Sequence, residues 1–306
     1  MTVRVAEEVD DKNVLGSLAT PIVTVLQNTP DLPSDVMIDI FGALSEVLTH
    51  AGPQIGADSK AVGQTQELLF TFIGSSNVAV RRRAIAALGA FVVHVPGARS
   101  DEALDEIYQR YKSCTRDSDK CILLRVLVAI AQQRPARVTK LVPTIVETEL
   151  GAIEGSEREL HVTLLFMFET FVRHCTELVA DKCDEIYRIA ADALRYDPNY
   201  SYSDDEGMDT SSEGDLEDGF GDDSDADAFE DDEDDTWDVR LGGVKLLSAI
   251  AKSGLFQPSD VVNRIGDVLV KSFREREDVV RAEIMLTYAV IVEDLQGAAA
   301  AGKSGV

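Results

Sequence analysis

The clearest structural signal in the chain is the segment from Asn77 to Gly89, which reads NVAVRRRAIAALG. It opens with a polar residue, and its apolar positions then continue at the spacing of one face of a helix: Val80, Ala84, Leu88, Phe91 and Val95. Two other segments, residues 237–241 (WDVRL) and 278–282 (DVVRA), repeat the same order of an acidic or polar residue, an apolar residue and an arginine. The recurrence of one helical pattern predicts a repeat protein.

The copies of this pattern recur with a period of about forty residues. Weaker copies complete the series, so that the anchor positions are Val36, Val80, Cys121, Leu160, Val239 and Val280. The steps between successive anchors are 44, 41, 39, 79 and 41 residues. The step of 79 residues is one ordinary repeat plus about 39 residues, and it predicts an insertion inside a single repeat rather than a boundary between domains.

Each anchor helix is preceded by a second predicted helix, and connectors that contain proline or glycine separate the pairs. The predicted first helices are residues 11–27, 59–73, 101–112, 137–150, 177–196 and 259–273. Ser100 is predicted to cap one helix, and Ser156 with Glu159 to form a capping box at another. Two helices in each repeat of this length favour HEAT repeats. The predicted fold is therefore all-α, an α-solenoid of about six HEAT-type helix pairs whose second helices line the concave face.

The net charge of −26 is concentrated in one segment. Residues 203–235 contain 18 of the 55 acidic residues and no Lys or Arg, which leaves 37 acidic against 29 basic residues elsewhere, a net charge of −8. This composition predicts a long disordered acidic insertion. The predicted organisation is a first solenoid part (1–202), the insertion (203–235), a continued solenoid (236–295) and a flexible tail (296–306).

Composition also limits the classes of function. The four cysteines lack CxxC spacing and are expected to be reduced, which indicates a cytoplasmic and/or nuclear protein. No apolar run is long enough to cross a membrane, and no basic surface favours nucleic acid. No phosphate-binding glycine loop, nucleophile elbow or metal-ligand pattern occurs. We therefore expect a protein that is not an enzyme, with no catalytic site, no cofactor and no metal.

The arginines of the repeat pattern divide into two groups. Arg81, Arg240 and Arg281 follow the anchor directly, and we expect them to form a structural ladder by bonding carboxylates or carbonyls of the neighbouring repeat. Arg82 and Arg83 lie on other faces of the same helix and are candidate partner-binding residues.

The borders of the insertion resemble a known family. Residues 194–202 (LRYDPNYSY) lead into the acidic segment, and residues 234–240 (DDTWDVR) lead out of it. Together with the segment at Arg81 and residues 273–282 (FREREDVVRA), they are similar to the N-terminal HEAT-repeat part of the cullin-associated and neddylation-dissociated protein family. The similar stretch extends from Leu15 to about Asp294. Tyr200 and Tyr202, in the tyrosine-rich border, are further candidate partner-binding residues.

This resemblance implies a regulator of cullin–RING ubiquitin ligase assembly, including SCF complexes. Such a protein binds an unneddylated cullin, at its C-terminal region with its RING subunit, and covers the neddylation site. C-terminal repeats of the family exchange substrate adaptors, so we expect either a fragment or a split protein that works with a separate C-terminal HEAT-repeat chain. Two alternatives remain open: a karyopherin-like transport receptor, and an acidic chaperone for basic proteins.

Overall fold

The protein folds into consecutive pairs of helices. The computed structural model describes residues 19–29, 32–55, 60–196 and 236–303. The helices are α1 Ala19–Asn28, α2 Ser34–Ala51, α3 Lys60–Phe72, α4 Val78–His94, α5 Ala98–Ser113, α6 Asp117–Gln133, α7 Val142–Ala152, α8 Arg158–His174, α9 Cys183–Leu194, α10 Trp237–Ser253, α11 and α12 Asp278–Lys303. Helix α11 consists of Pro258–Asp260, a π-helical turn Val261–Gly266 and Asp267–Lys271. A short helix, Thr176–Val179, and a 3-10 turn, Ala180–Lys182, precede α9.

The even-numbered helices form one continuous layer. Helix α4 packs against both α2 and α6, and the same contacts continue from α6 to α8, from α8 to α10 and from α10 to α12. The odd-numbered helices lie beside their partners and complete the pairs. One apolar core runs through the stack, with Leu88, Leu124, Phe168 and Leu247 fully buried. The prediction of an all-α solenoid built from helix pairs is confirmed for the described ranges.

The segment from Asn77 to Gly89 behaves as its sequence predicts. The side-chain oxygen of Asn77 accepts hydrogen bonds from the backbone N–H groups of Ala79 (3.0 Å) and Val80 (3.2 Å), and so caps α4. Val80, Leu88 and Phe91 are all completely buried. A polar residue thus starts the helix, and the apolar stripe that follows holds it in the stack.

The structure corrects three details of the predicted repeats. Val36 is 41% exposed, whereas the other anchors are buried, so it is not equivalent to Val80. Helix α5 begins at Ala98 because Gly97 adopts a positive φ of 94°, and the Ser100 hydroxyl donates back to the Gly97 carbonyl instead of capping the helix. Similarly, the Ser156 hydroxyl donates to the Ile153 carbonyl at 2.8 Å, and α8 begins only at Arg158. Ser100 thus lies inside α5 and Ser156 lies two residues before α8, and both hydroxyls bond a nearby carbonyl rather than capping a helix.

The last helix extends beyond its predicted end. Helix α12 continues past Leu295 to Lys303, through a region expected to be a flexible tail. The run of alanines from Ala298 to Ala301 explains the difference, because alanine has the highest helix propensity and offsets the two neighbouring glycines. None of the helices in the described ranges is both long enough and apolar enough to span a membrane.

The two helices of the fifth pair, which residues 195–236 separate in the sequence, pack against each other. Helices α9 and α10 pack closely, and a Cβ atom on Gly243 of α10 would lie 2.8 Å from the Ala190 carbonyl oxygen of α9. The Nη1 atom of Arg240 donates to the Tyr196 carbonyl (3.4 Å) and to the Thr236 hydroxyl (2.9 Å). The last described residue before the insertion and the first one after it therefore meet at one guanidinium. The insertion itself, residues 203–235, lies outside the described residues.

Candidate partner-binding surface

A groove of about 330 Å³ opens on the layer of second helices. Its walls come from three successive helices, α4, α6 and α8, so that three repeats contribute to one surface. The lining residues are Arg82, Ile85, Arg125, Val128, Ala129, Gln132, Val162, Thr163 and Phe166. We call this feature the second-helix groove.

Phe166 is the most unusual residue of the groove. Its side chain is 42% exposed, whereas Phe168 and Phe171 of the same helix are fully buried. The helical spacing causes this difference, because positions 162 and 166 lie on the face of α8 opposite to the buried stripe. An exposed aromatic ring beside other apolar side chains is typical of a protein-binding surface.

The charges around the groove are unevenly neutralised. On one side, an Nη2 atom of Arg125 donates to the Thr163 hydroxyl (3.3 Å) and pairs with Glu159 (3.4 Å). On the other side, Arg82 is exposed and has neither an ion pair nor a hydrogen bond among the described residues. Helix α4 carries three arginines and no acidic residue. The groove therefore presents an unpaired positive charge next to an apolar surface.

The candidate partner-binding residues lie in different places. Arg82 lines the second-helix groove, whereas Arg83 is exposed on α4 but does not line it. Tyr200 and Tyr202 lie outside the described residues. Of these candidates, Arg82 is thus the one that the structure brings together with the apolar groove residues.

The three candidate ladder arginines make two kinds of contact. Arg81 and Arg281 each donate through Nη1 to the carbonyl six residues earlier, in the linker of their own pair, at 3.0 Å in both cases. Arg240 instead crosses to the next pair, where it donates to both carboxylate oxygens of Glu275 at 3.0 and 3.1 Å. Both side chains of this ion pair are about nine-tenths buried. In the described structure, Arg240 joins pairs five and six, and the other two arginines brace a linker.

Two further ion pairs, which the repeat pattern does not predict, link neighbouring pairs. Arg158 at the start of α8 donates to both carboxylate oxygens of Asp238 in α10. This ion pair is hard to predict from the sequence, because Arg158 and Asp238 are 80 residues apart, with the acidic segment between them. Arg264, in the π-helical turn, pairs with Asp184 (2.7 Å), and its guanidinium lies over the ring of Tyr187, 4.3 Å from the centroid. These contacts hold successive repeats in register.

A buried carboxylate connects pairs three and four. Glu149 of α7 is completely buried, and its Oε1 atom accepts a hydrogen bond from the Tyr111 hydroxyl (2.5 Å) and pairs with Lys120 (2.7 Å). Burial, followed by the hydrogen bond to Glu149, raises the pKa of Tyr111 above its ordinary value. This phenol therefore stays protonated and acts as a donor in the packing of α5, α6 and α7.

The remaining titratable groups are dispersed. All four cysteines are free thiols, and burial raises the pKa of Cys183 to about 11, with a smaller contribution from Asp184. Burial lowers the pKa of His161, whose ring packs against Tyr196. Within the described ranges, no three His, Cys, Asp or Glu side chains are grouped so that they could hold a metal ion.

Comparison with curated proteins reveals similarity over most of the chain. The Cullin-associated NEDD8-dissociated protein 1 of Drosophila melanogaster is 23% identical over 304 residues, which cover 94% of this chain and 24% of the fly protein. The chain resembles cullin-associated NEDD8-dissociated proteins. The Cullin-associated NEDD8-dissociated protein 1 of Dictyostelium discoideum is 22% identical, and the alignment covers 86% of this chain and 22% of that protein. The Cullin-associated NEDD8-dissociated protein 2 of Mus musculus is also 22% identical, and the alignment covers 92% of this chain and 22% of that protein. This chain thus spans less than a quarter of each of these cullin-associated relatives.

Comparison with solved structures returns engineered proteins. Two such crystal structures align with 90% and 95% of this chain and with 96% and 67% of their own chains. Both have a TM-score of 0.44, with sequence identities of 15% and 14%. No protein-family model matches the chain.

Proposed function

We propose that this chain binds a cullin and regulates the assembly of cullin–RING ubiquitin ligases. The observation that carries the proposal is the similarity, over 94% of the chain, to a protein that is named for its association with cullins. The second-helix groove supports it, because an exposed apolar surface with an unpaired arginine is suited to a protein partner.

The proposed mechanism is steric occlusion. The chain binds the C-terminal region of an unneddylated cullin together with its RING subunit, in the cytoplasm or the nucleus, and covers the site to which the ubiquitin-like modifier is attached. A rigid layer of second helices suits this role, because occlusion requires a surface of fixed shape and no reacting side chain. Links such as Arg240–Glu275 and Arg158–Asp238 fix the shape of that layer.

We further propose that separate downstream repeats dock on α12. In α4, which packs against the next second helix α6, Ile85 is 7% exposed, whereas Met285, the equivalent residue of α12, is 51% exposed. Its neighbour Leu286 is 62% exposed. This surface suits a further helix pair of the same kind, and in this proposal a C-terminal HEAT-repeat chain that exchanges substrate adaptors supplies that pair.

A pull-down with three purified baits tests the proposed function. The baits are an unmodified cullin–RING complex, a small GTPase in its GTP form and core histones, which represent the cullin, transport and chaperone functions. We expect retention on the cullin–RING complex and reduced retention once that cullin carries its modifier. Retention only on the GTPase or only on histones, with none on the cullin, would contradict the proposal.

A further inference from the structure

We propose that the second-helix groove receives an acidic amphipathic segment of the partner. An apolar side chain of this segment enters the groove beside Phe166, and a carboxylate one helical turn away pairs with Arg82. The chemistry of the segment follows from the groove alone, and its assignment to a cullin rests on the proposed function above.

The shape of the groove favours a helix or a short extended segment. Its volume of about 330 Å³ lies at the small end of the range for binding pockets, and it is open to solvent. Its lining includes the apolar residues Ile85, Val128 and Val162, together with the exposed ring of Phe166 and the side chain of Arg82. Amphipathic helices bind proteins by placing a row of apolar side chains in such a groove. One or two apolar anchors of the partner would cover the exposed part of Phe166.

The charges around the groove favour a partner segment with a negative charge. Both acidic residues of α8 are already neutralised within the chain, Glu159 by Arg125 and Glu169 by Arg173. Arg82, which lines the groove on α4, has no acidic partner among the described residues. A carboxylate brought to Arg82 gains a charge-assisted hydrogen bond, whereas a basic side chain there would meet an unpaired like charge. An acidic segment is therefore favoured over a basic one.

Four variants of the whole chain test this inference against the unmodified cullin–RING complex. Arg82→Glu reverses the unpaired charge. Its matched control is Arg188→Glu, at an exposed arginine of α9, the first helix of the fifth pair. Phe166→Ser removes the exposed ring, and its control is Val270→Ser, at a residue of α11 that is 46% exposed. We expect each groove variant to weaken binding about tenfold or more, Phe166→Ser mainly through faster dissociation and Arg82→Glu mainly through slower association. Each control should change binding by less than about twofold.

Photo-crosslinking identifies the bound segment directly. With Phe166→p-benzoylphenylalanine, the crosslinked partner peptide should contain an apolar residue within one helical turn of Asp or Glu. The same substitution at Val270 is the control. A basic crosslinked peptide, a crosslink to this chain's own residues 203–235, or a yield no higher than that of the control would overturn the inference.

The design separates failure of the inference from failure of the proposed function. If the cullin–RING complex binds but is insensitive to Arg82→Glu and Phe166→Ser, the groove is not the binding site and the cullin proposal stands. If the complex does not bind, a fluorescent helical peptide of Leu, Ala and Glu serves as the probe. Binding of this peptide that Arg82→Glu and Phe166→Ser weaken, and that their controls do not, supports the groove chemistry; no binding, or equal loss in the controls, overturns it.

Discussion

Replacing Arg240 by methionine should destabilise the last two repeats strongly. The Arg240 side chain is only 8% exposed. Its guanidinium donates to both oxygens of Glu275 and also to the Tyr196 carbonyl and the Thr236 hydroxyl. Methionine fills similar volume but leaves the Glu275 carboxylate, which is 90% buried, without its cation. Removing one partner of a buried ion pair lowers the free energy of unfolding by about 3–5 kcal/mol.

A second substitution tests the origin of that loss. In Arg240→Met/Glu275→Gln the uncompensated carboxylate becomes a neutral amide, so we expect roughly half of the lost stability to return. Arg81→Met is the comparison, because Arg81 is only partly buried and donates to a single carbonyl, that of Ser75. Its expected loss is about 1–2 kcal/mol.

Urea unfolding followed by far-ultraviolet circular dichroism measures these differences. Because a repeat array can unfold in parts, hydrogen exchange should locate the Arg240→Met effect in α9 to α12. A loss below about 1 kcal/mol for Arg240→Met, or a double variant less stable than the single one, would refute the conclusion that this ion pair joins pairs five and six.

Four further results are expected. Replacing residues 203–235 by a short Gly/Ser linker should leave the melting temperature and helical signal unchanged, since loop-closure entropy changes by only about 0.6 kcal/mol per doubling of length, and a collapse of either would contradict this. Burial lowers the pKa of His161, so protonation favours the unfolded chain. As the pH falls from about 7.5 to 5.5, the free energy of unfolding of the wild type should therefore decrease more steeply than that of His161→Phe. Equal pH dependence of the two proteins would contradict this. Cys114, which is partly exposed, should react with Ellman's reagent before the three buried cysteines, as mass spectrometry of the labelled peptides can verify. Gly243→Ala should lower the melting temperature because of its contact with α9, whereas Gly42→Ala, which meets open space, should raise it; equal effects would exclude a role for close packing at residue 243.

The helix pairs could be predicted because each repeat carries its own local signal. The anchors Val80, Val239 and Val280 are buried, and each begins a stripe whose spacing identifies the helix. In the first repeat this signal is only a weak copy of the pattern, and its predicted anchor Val36 lies at an exposed position. The predicted helix starts at Ser100 and Ser156 are wrong. A serine hydroxyl can donate to a nearby backbone carbonyl as readily as it can accept from a backbone N–H group, and the sequence does not distinguish the two.

The candidate surface could be predicted only in part. Arg82 followed from the helical phase of α4, but Phe166 was overlooked within the sequence FMFETF, where apolar residues occur on several faces of one helix. The stripe that begins at Leu160 would have separated the exposed ring from its buried neighbours. Links such as Arg158–Asp238 could not be predicted, since they depend on how repeats stack after an insertion.

The most direct test of the central claim is the dissociation constant of the chain for one cullin–RING complex, measured with and without the ubiquitin-like modifier on the cullin. We predict binding to the unmodified complex that is at least about tenfold tighter than to the modified one, a difference of about 1.4 kcal/mol. Equal affinity for the two forms would contradict occlusion of the modification site, and no affinity for either would contradict cullin binding itself.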